Sequence, residues 1–488
     1  MRFADLLRAA GLEPLSIQGD ADVTDVVADS RRCRAGSCFV AVRGTEADGH
    51  QYVQTAVAGG ACAVVGERAP SADVGAWAVV QDTHLAVGRL AQAIRGWPAR
   101  KLTCVGITGT NGKSTVAHLV RAVLEAAGHS TGLLGTIAYE TGRRKVPAGT
   151  TTPDPIALAE LTGEMVAEGR THLVMEVSSH ALDQRRTAGL ELQVGIFTNL
   201  SGDHLDYHHT MDEYLAAKRR LFEQLGAEAT AVINRDDAAG EQMAAATGGR
   251  VCWYGLSPAA DLWARIDRID AAGTDFTLAC GERRVTARTR LIGRHNVYNC
   301  LAAAGACVAL GVELDAIAEA LGTVDCVPGR LQRVEADAPF EVFVDYAHTD
   351  DALANVLSAL RPVTRGRLIV VFGCGGDRDR TKRPRMARVA EELADEVVVT
   401  SDNPRREEPG AIIDEILAGM SETGRRAASV EPDRRTAIGL AVGLARAADV
   451  VLIAGKGHES YQILGEKRVH FDDVEEAAAA IVGREASG

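Results

Sequence analysis

The chain lacks the marks of several protein classes. It has no excess of positive charge: 66 acidic against 53 basic residues give a net charge of −13. That is the wrong sign for a nucleic-acid binder, which needs a basic footprint on the phosphates. No apolar run is long enough to span a bilayer, and the opening MRFADLLRAAGLEPL has no apolar leader core, so we expect no membrane span. Its 10 cysteines include no CxxC pair, Cys33 and Cys38 being the closest. Such scatter argues against zinc or a disulfide framework and for reduced thiols in the cytoplasm. Repeats and low-complexity segments are absent.

Glycine is plentiful, 50 of 488 residues, and many follow apolar runs, where tight turns and close backbone approach to ligands need it. The length is too great for one core. Three stretches differ in character, with boundaries expected near 1–98, 99–328 and 329–488. The first has short strands at Ser37–Val42 and Ala61–Val65; the second opens with the strand Leu102–Ile107 and alternates strands with helices. In the third, the apolar runs Val342–Val344, Leu368–Phe372, Val397–Thr400 and Val450–Ala454 are separated by helix-like segments. Such runs predict a parallel sheet covered on both faces. Each ends in a polar cluster: Asp345–His348, Gly373–Arg378, Asp402–Arg405 and Gly455–Glu459. Ligands of open α/β sheets bind at the carboxyl ends of the strands, so the four clusters predict one composite site.

The strand Leu102–Ile107 runs into Thr108-Gly109-Thr110-Asn111-Gly112-Lys113-Ser114-Thr115 and then a helix. Strand, glycine turn and helix N-terminus present amides and dipole to a phosphate, Lys113 adds a charge, and Ser114 reaches Mg2+. Ile107 stands where the strict phosphate-loop pattern has its first glycine, which is displaced to Gly106. Glu176 ends another strand and is placed to hold Mg2+, or is an ordinary surface acid. The segment Leu200–His209 offers three histidines and two aspartates as candidate metal ligands, or a polar loop. In the next helix Met211, Tyr214, Leu215, Leu221 and Phe222 form an apolar stripe, and Lys218 falls on it. Burial lowers a lysine pKa toward the neutral amine. Lys218 either snorkels to the surface or takes up CO2 as a carbamate and becomes an anionic metal ligand.

TGTNGKST (108–115), TTPD (151–154), EVSSHALDQRR (176–186), NLSGDHLDYH (199–208), the Lys218 helix, GRHNVYN (293–299), DYAHT (345–349), GCGGDRD (373–379), DNPR (402–405) and GKGHE (455–459) together resemble the Mur ligase family. Its members add amino acids to a UDP-N-acetylmuramoyl peptide with ATP. The resemblance covers nearly the whole chain. It implies an α/β protein of three domains: a smaller N-terminal α/β UDP-binding domain, a central ATP-binding parallel sheet of the P-loop type, and a C-terminal Rossmann-like amino-acid domain. It implies a monomer acting on small molecules, with ATP as substrate and two Mg2+ sites.

Position by position, the resemblance implies that Gly109, Thr110, Asn111, Gly112, Lys113, Ser114 and Thr115 hold the ATP phosphates and that Asn296 contacts adenine. Ser114 and Glu176 would hold one Mg2+; Glu176, His204 and carbamylated Lys218 a second. Ser30 would contact the uridine nucleotide, and Thr151, Thr152, Ser178, Gln184 and Arg186 the sugar-peptide. DNPR resembles the segment of members that add 2,6-diaminopimelate, the meso form being expected, to the D-glutamyl residue of UDP-N-acetylmuramoyl-L-alanyl-D-glutamate. Diaminopimelate is lysine with one more carboxylate, which Arg405 can grip in a bidentate fashion; Arg378, Asp402, Asn403, Pro404, Gly455 and Glu459 complete that site. Lysine would leave Arg405 unpaired, a vacancy that costs roughly 10⁴-fold. Asp350 stands where the family usually has proline, and as an acid it suits a helix start. A folylpolyglutamate-synthetase-like ligase gives no reason for DNPR, and a switch NTPase none for the four strand-end clusters. A dinucleotide dehydrogenase fails because Arg378 follows Gly373-Cys374-Gly375 where glycine is needed.

Overall fold

The computed structural model describes residues 1–44, 47–70 and 73–485. The first unit is a five-stranded sheet in the order Ser16–Gly19, Ala76–Val79, Ala61–Gly66, Ser37–Val40, Asp25–Val27, antiparallel only at its first pair. The helices Phe3–Ala9 and Thr83–Ile94 cover one face, and Ile156 and Ala159 of the next unit join the same core.

The central sheet has 11 strands, with Thr103–Thr108 between His172–Glu176 and Leu192–Phe197, all parallel. The phosphate loop therefore leaves the middle of the sheet. The expected alternation of strands and helices fails further on. Leu262–Asp270, Gly273–Cys280 and Arg283–Thr289 follow one another as an antiparallel meander. Their inward residues Leu262, Ala264, Phe276, Leu278 and Ala287 pack in one core with the helix Arg294–Ala309. Alternate residues of the meander stay outside, the pattern of a sheet with one wet face.

The third unit is a six-stranded sheet whose inner strands Glu341–Asp345, Val450–Ala454, Leu368–Phe372 and Glu396–Val399 are adjacent in that order and parallel. Their side chains alternate between two cores: Leu368, Val370 and Phe372 enter one, Ile369 and Val371 the other. That is why the runs are continuously apolar. The carboxyl ends converge as the sequence predicts. Tyr346 lies 5.1 Å from the His458 ring, a Cβ on Gly376 would meet Pro404 O at 1.9 Å, and one on Gly455 would meet Asp402 at 3.4 Å.

Candidate active site

The phosphate loop owes its shape to two glycines. Gly109 has φ +151°, and a Cβ there would lie 1.8 Å from Thr198 Oγ1; Gly112 has φ +87°, with Asn299 Oδ1 2.5 Å from its Cβ position. No other residue fits such positions. The neighbouring strand end braces the loop: Thr110 N donates to Asn199 O (2.9 Å), Asn111 N to Asn199 Oδ1 (2.9 Å), and Thr198 Oγ1 to Asn111 O (2.6 Å). Lys113 opens the helix Lys113–Ala126, and its Nζ donates to Gly109 O and Thr110 O, both at 2.8 Å. Burial lowers its pKa, with Glu176 and Asp203 opposing.

Lys218 is buried, 1% exposed, so the stripe reading holds at that position. Met211, at the start of the same helix, is exposed and leaves the stripe. Lys218 Nζ donates to Gly109 O at 2.9 Å and lies 4.2 Å from the Tyr214 ring. Burial, joined by the charge of Lys113 and opposed by Asp203, holds its pKa well below the ordinary value. Such a shift favours the neutral amine over the ammonium.

A cavity of about 120 Å³ collects Lys113, Ser114, Glu176, Asp203, His204 and Lys218. Glu176 accepts from Thr136 N and Thr136 Oγ1, both at 2.9 Å. Burial pushes the His204 pKa down against the pull of Asp203, which keeps the imidazole neutral and its lone pair free for a metal. The rest of the histidine-rich segment goes elsewhere. His208 packs in an aromatic cluster with His180, Tyr207 and Tyr214, while Asp206 and His209 are exposed.

Thr151, Ser178 and Thr136 extend this cavity. Thr152 Oγ1 donates to Glu176 O and accepts from Ser178 N, both at 3.0 Å, and Arg186 Nη1 donates to Thr152 O at 3.0 Å. Arg186 and Gln184 line a second cavity of about 580 Å³ that opens toward Arg43 and His84 of the first unit. Ser30, expected at the uridine, is not among its lining residues; it sits in the short turn Ser30–Arg32. On the other side a cavity of about 670 Å³ is lined by Asn111, Tyr254, Asn296, Tyr298, Asn299 and Asp351. Asn296 lies in the first turn of its helix, donates to Ile292 O (2.9 Å) and accepts from Asn299 Nδ2 (2.9 Å).

The third unit closes directly over the loop. Arg330 Nη2 donates to Ser114 Oγ at 3.1 Å, and Asp351 Oδ2 accepts from Asn111 Nδ2 (2.7 Å) and Ser201 Oγ (3.0 Å). His348 Nε2 lies 4.0 Å from Asp203. The sequence reading gives Arg330 no role and Asp203 only a place among the candidate metal ligands of its segment. Asp203 sits beside His204 in a segment where either aspartate was eligible. Arg330 carries no local signal, since its partner is 216 residues away.

At the strand ends of this unit Arg405 has φ +52°, and its Nη1 donates to Gly376 O at 2.7 Å. Its amide donates to Ile463 O (3.2 Å) in the strand Tyr461–Leu464. Asn403 Nδ2 donates to Glu459 Oε2 at 2.8 Å. Arg378 is exposed and donates to Asp377 O at 3.1 Å. Burial and then Asp402 raise the pKa of Glu459, with Lys456 opposing.

Three family models match: the Mur ligase family catalytic domain over residues 22–95, the Mur ligase middle domain over 107–307, and the Mur ligase glutamate ligase domain over 329–457. The chain is 45% identical to the UDP-N-acetylmuramoyl-L-alanyl-D-glutamate–2,6-diaminopimelate ligase of Geobacter metallireducens, covering 98% of each. It is 45% identical to the ligase of the same name from Gloeobacter violaceus, covering 100% of this chain and 99% of the other. A solved structure of a ligase of that name has a TM-score of 0.68 at 34% identity, covering 95% of each chain. The folylpolyglutamate synthase of Mycobacterium tuberculosis shares the fold (TM-score 0.64, 19% identity, 82% of this chain and 94% of that one). On sequence and fold alike, the chain belongs to the Mur ligase family.

Proposed function

We propose that the enzyme joins diaminopimelate to the D-glutamyl residue of UDP-N-acetylmuramoyl-L-alanyl-D-glutamate at the expense of ATP, in cytoplasmic synthesis of the peptidoglycan precursor. One observation carries the choice of amino acid: the Asp402–Arg405 segment stands against Glu459 in the unit that docks on the phosphate loop. The full-length 45% identity to ligases of that name supports it. The three substrates correspond to three places. ATP lies with adenine in the 670 Å³ cavity beside Asn296 and phosphates on Gly109–Thr115. The uridine precursor occupies the 580 Å³ cavity and extends past Gln184 and Arg186 toward Thr151, Thr152 and Ser178, with Ser30 further along the first unit. Diaminopimelate sits at the strand ends of residues 329–488. The domain divisions 1–98, 99–328 and 329–488 follow this assignment, and one chain supplies all three places, as a monomer requires.

The donor set suits Mg2+. The hydroxyl of Ser114 and the carboxylate of Glu176 are hard oxygen ligands sharing one cavity. No group of three or more His, Cys, Asp or Glu among the described residues is arranged to hold a metal alone, and Mg2+ commonly takes its remaining ligands from substrate phosphates and water. Ser114 and Glu176 would hold one ion, and Glu176, His204 and Lys218 a second. Lys218 would serve as a carbamate, its neutral amine adding to CO2 with loss of one proton. When bound there, Mg2+ would screen the meeting of triphosphate and carboxylate, charges that repel by roughly 4 kcal/mol per pair at an effective dielectric near 20.

The precursor γ-carboxylate attacks the γ-phosphoryl group; the bond to ADP breaks and an acyl phosphate forms. The diaminopimelate amine then attacks its carbonyl carbon, the amide forms, and phosphate and a proton leave. Lys113 and the loop amides orient the triphosphate, and Arg330 brings the third unit's charge to the same end of the loop. The protein acts by position and electrostatics. Phosphate release is measured with the UDP-linked dipeptide, with and without diaminopimelate or lysine. Release that needs both the dipeptide and diaminopimelate is expected. Release without either overturns the ligase reading, and equal rates with lysine overturn the choice of amino acid.

A further inference from the structure

Lys456 follows the strand Val450–Ala454 and is completely buried, 0% exposed. An ammonium out of water is costly unless its charge is matched and its donors are used. Its partners are all residues of the amino-acid pocket. Nζ donates to Glu459 Oε2 (3.2 Å) and to Asn403 Oδ1 (3.3 Å), and lies 3.7 Å from Asp402 Oδ1. The Tyr461 ring centroid is 5.5 Å away. Lys456 is the floor on which the polar walls of the pocket stand.

That floor settles two matters for the walls. The first is orientation. Asn403 Oδ1 faces two donors, Lys456 Nζ and Ile463 N (2.9 Å), while its Nδ2 faces the Glu459 carboxylate. Without the ammonium, one of the two reasons for this amide orientation is gone, and Glu459 is free to turn. The second is charge. Asp402 and Glu459 bring two negative charges and Lys456 one positive. Of the other cations, Arg434 is already paired with Asp473, and Arg405 is taken up by the distal carboxylate of the substrate. The local sum is −1, and Asp402 Oδ1 is buried with no hydrogen bond of its own. A substrate ammonium completes that balance, and a neutral group does not.

We propose that Lys456 is a positioning residue for the amino-acid substrate: its buried ammonium orients Asn403 and Glu459 and leaves one unmatched negative charge, which selects a substrate bearing a second ammonium group. The proposal rests on the diaminopimelate reading above.

Ligation kinetics of the full chain test it with diaminopimelate and with 2-aminopimelate, which keeps the distal carboxylate and lacks the second ammonium. The wild-type enzyme is expected to prefer diaminopimelate. In Lys456→Met the Asp402 and Glu459 carboxyls lose the cation between them, so they repel and one turns away or takes up a proton; the preference, as a ratio of kcat/KM values, is expected to fall by about tenfold or more. KM for ATP is expected to stay within about threefold, since none of these Lys456 contacts is with the phosphate loop. A merely structural loss would lower both amino acids equally, so an unchanged ratio overturns the proposal. If Lys456→Met fails to fold, Lys456→Ala is assayed with ethylammonium, a stand-in for the missing side chain. Recovery of diaminopimelate ligation supports the proposal and no recovery overturns it. A wild-type enzyme that does not ligate diaminopimelate at all overturns the substrate reading and this proposal with it.

Discussion

Arg434 and Asp473 form an ion pair with both side chains at 0% exposure. Arg434 Nε donates to Asp473 Oδ1 at 2.8 Å and Nη2 to Oδ2 at 2.7 Å. The guanidinium also donates to Ser401 O (3.3 Å) and Ala454 O (3.0 Å), so it ties together the ends of two strands that carry the amino-acid pocket. Asp473→Asn keeps the shape, removes the charge, and turns one acceptor into a donor facing a donor. Breaking a buried pair from one side costs about 3–5 kcal/mol. For a unit of 150–250 residues each kcal/mol lowers Tm by about 2–4 °C, so the transition of the third unit is expected to fall by roughly 6–20 °C. Differential scanning calorimetry reads this, with limited proteolysis to show which unit opens, because a multidomain chain need not melt in one step. The double variant Arg434→Leu, Asp473→Leu removes both charges, and much of the stability is expected to return. Its amino-acid ligation is not expected to return, because Ser401 O and Ala454 O have lost their common donor. A fall below about 2 °C for Asp473→Asn would refute the reasoning that this pair is an uncompensated charge once broken.

Lys218→Ala is expected to lower kcat by about 10²-fold or more, with partial recovery in short carboxylic acids; unchanged activity would exclude the carbamate. Arg405→Lys keeps the charge and loses the fork, and is expected to raise KM for diaminopimelate about tenfold or more while leaving KM for ATP unchanged. Gly376→Ala places a methyl against Pro404 O, a backbone atom that cannot swing away, so diaminopimelate binding is expected to weaken without loss of ATP binding, as read by separate titrations. Hydrogen bonds from Arg383 (2.9 and 3.0 Å) hold the Glu407 carboxyl at about 2, below its ordinary 4.5. A depressed acid stabilises the fold above its unfolded pKa, so this contribution is present above pH 4.5 and is lost as pH falls toward 2. Glu407→Gln is expected to lower stability near neutrality and to flatten its dependence on pH across that window, as followed by thermal melts.

What could be read in the sequence were features whose cause lies within a few residues. Lys218 was legible because a helix places i, i+3 and i+4 on one face, so a lysine among Tyr214, Leu221 and Phe222 stands out on the apolar stripe, and the structure decides for burial over snorkelling. The inner strands of the third unit were legible because burial on two faces demands unbroken apolar runs. The meander Leu262–Thr289 was not, since LWARIDRID mixes charges into the strand wherever one face meets water. Met211 differs for a related reason: the apolar spacing continues to the helix end, but the core beneath it does not.

Contacts between the units lie beyond local pattern altogether, and the start of the helix Asp350–Leu360 shows why. Asp350 reads as an acid suited to a helix N-terminus, and Thr349 caps that helix by accepting from Ala352 N at 3.2 Å. The next residue, Asp351, has the same local description, yet its carboxylate accepts from Asn111 of the phosphate loop and from Ser201. Nothing within ten residues distinguishes the two acids. The difference arises because the helix begins where the third unit meets the loop, so one turn position faces Arg385 at 3.3 Å and the other faces Asn111 of the loop. Asp351 is thereby placed on the wall of the proposed nucleotide cavity, where its bond to Asn111 joins the third unit to the loop. Asp351→Ala is therefore expected to change KM for ATP, measured with the other substrates saturating, while the helix cap at Thr349 keeps the Tm; an unchanged KM would refute a link through this amide.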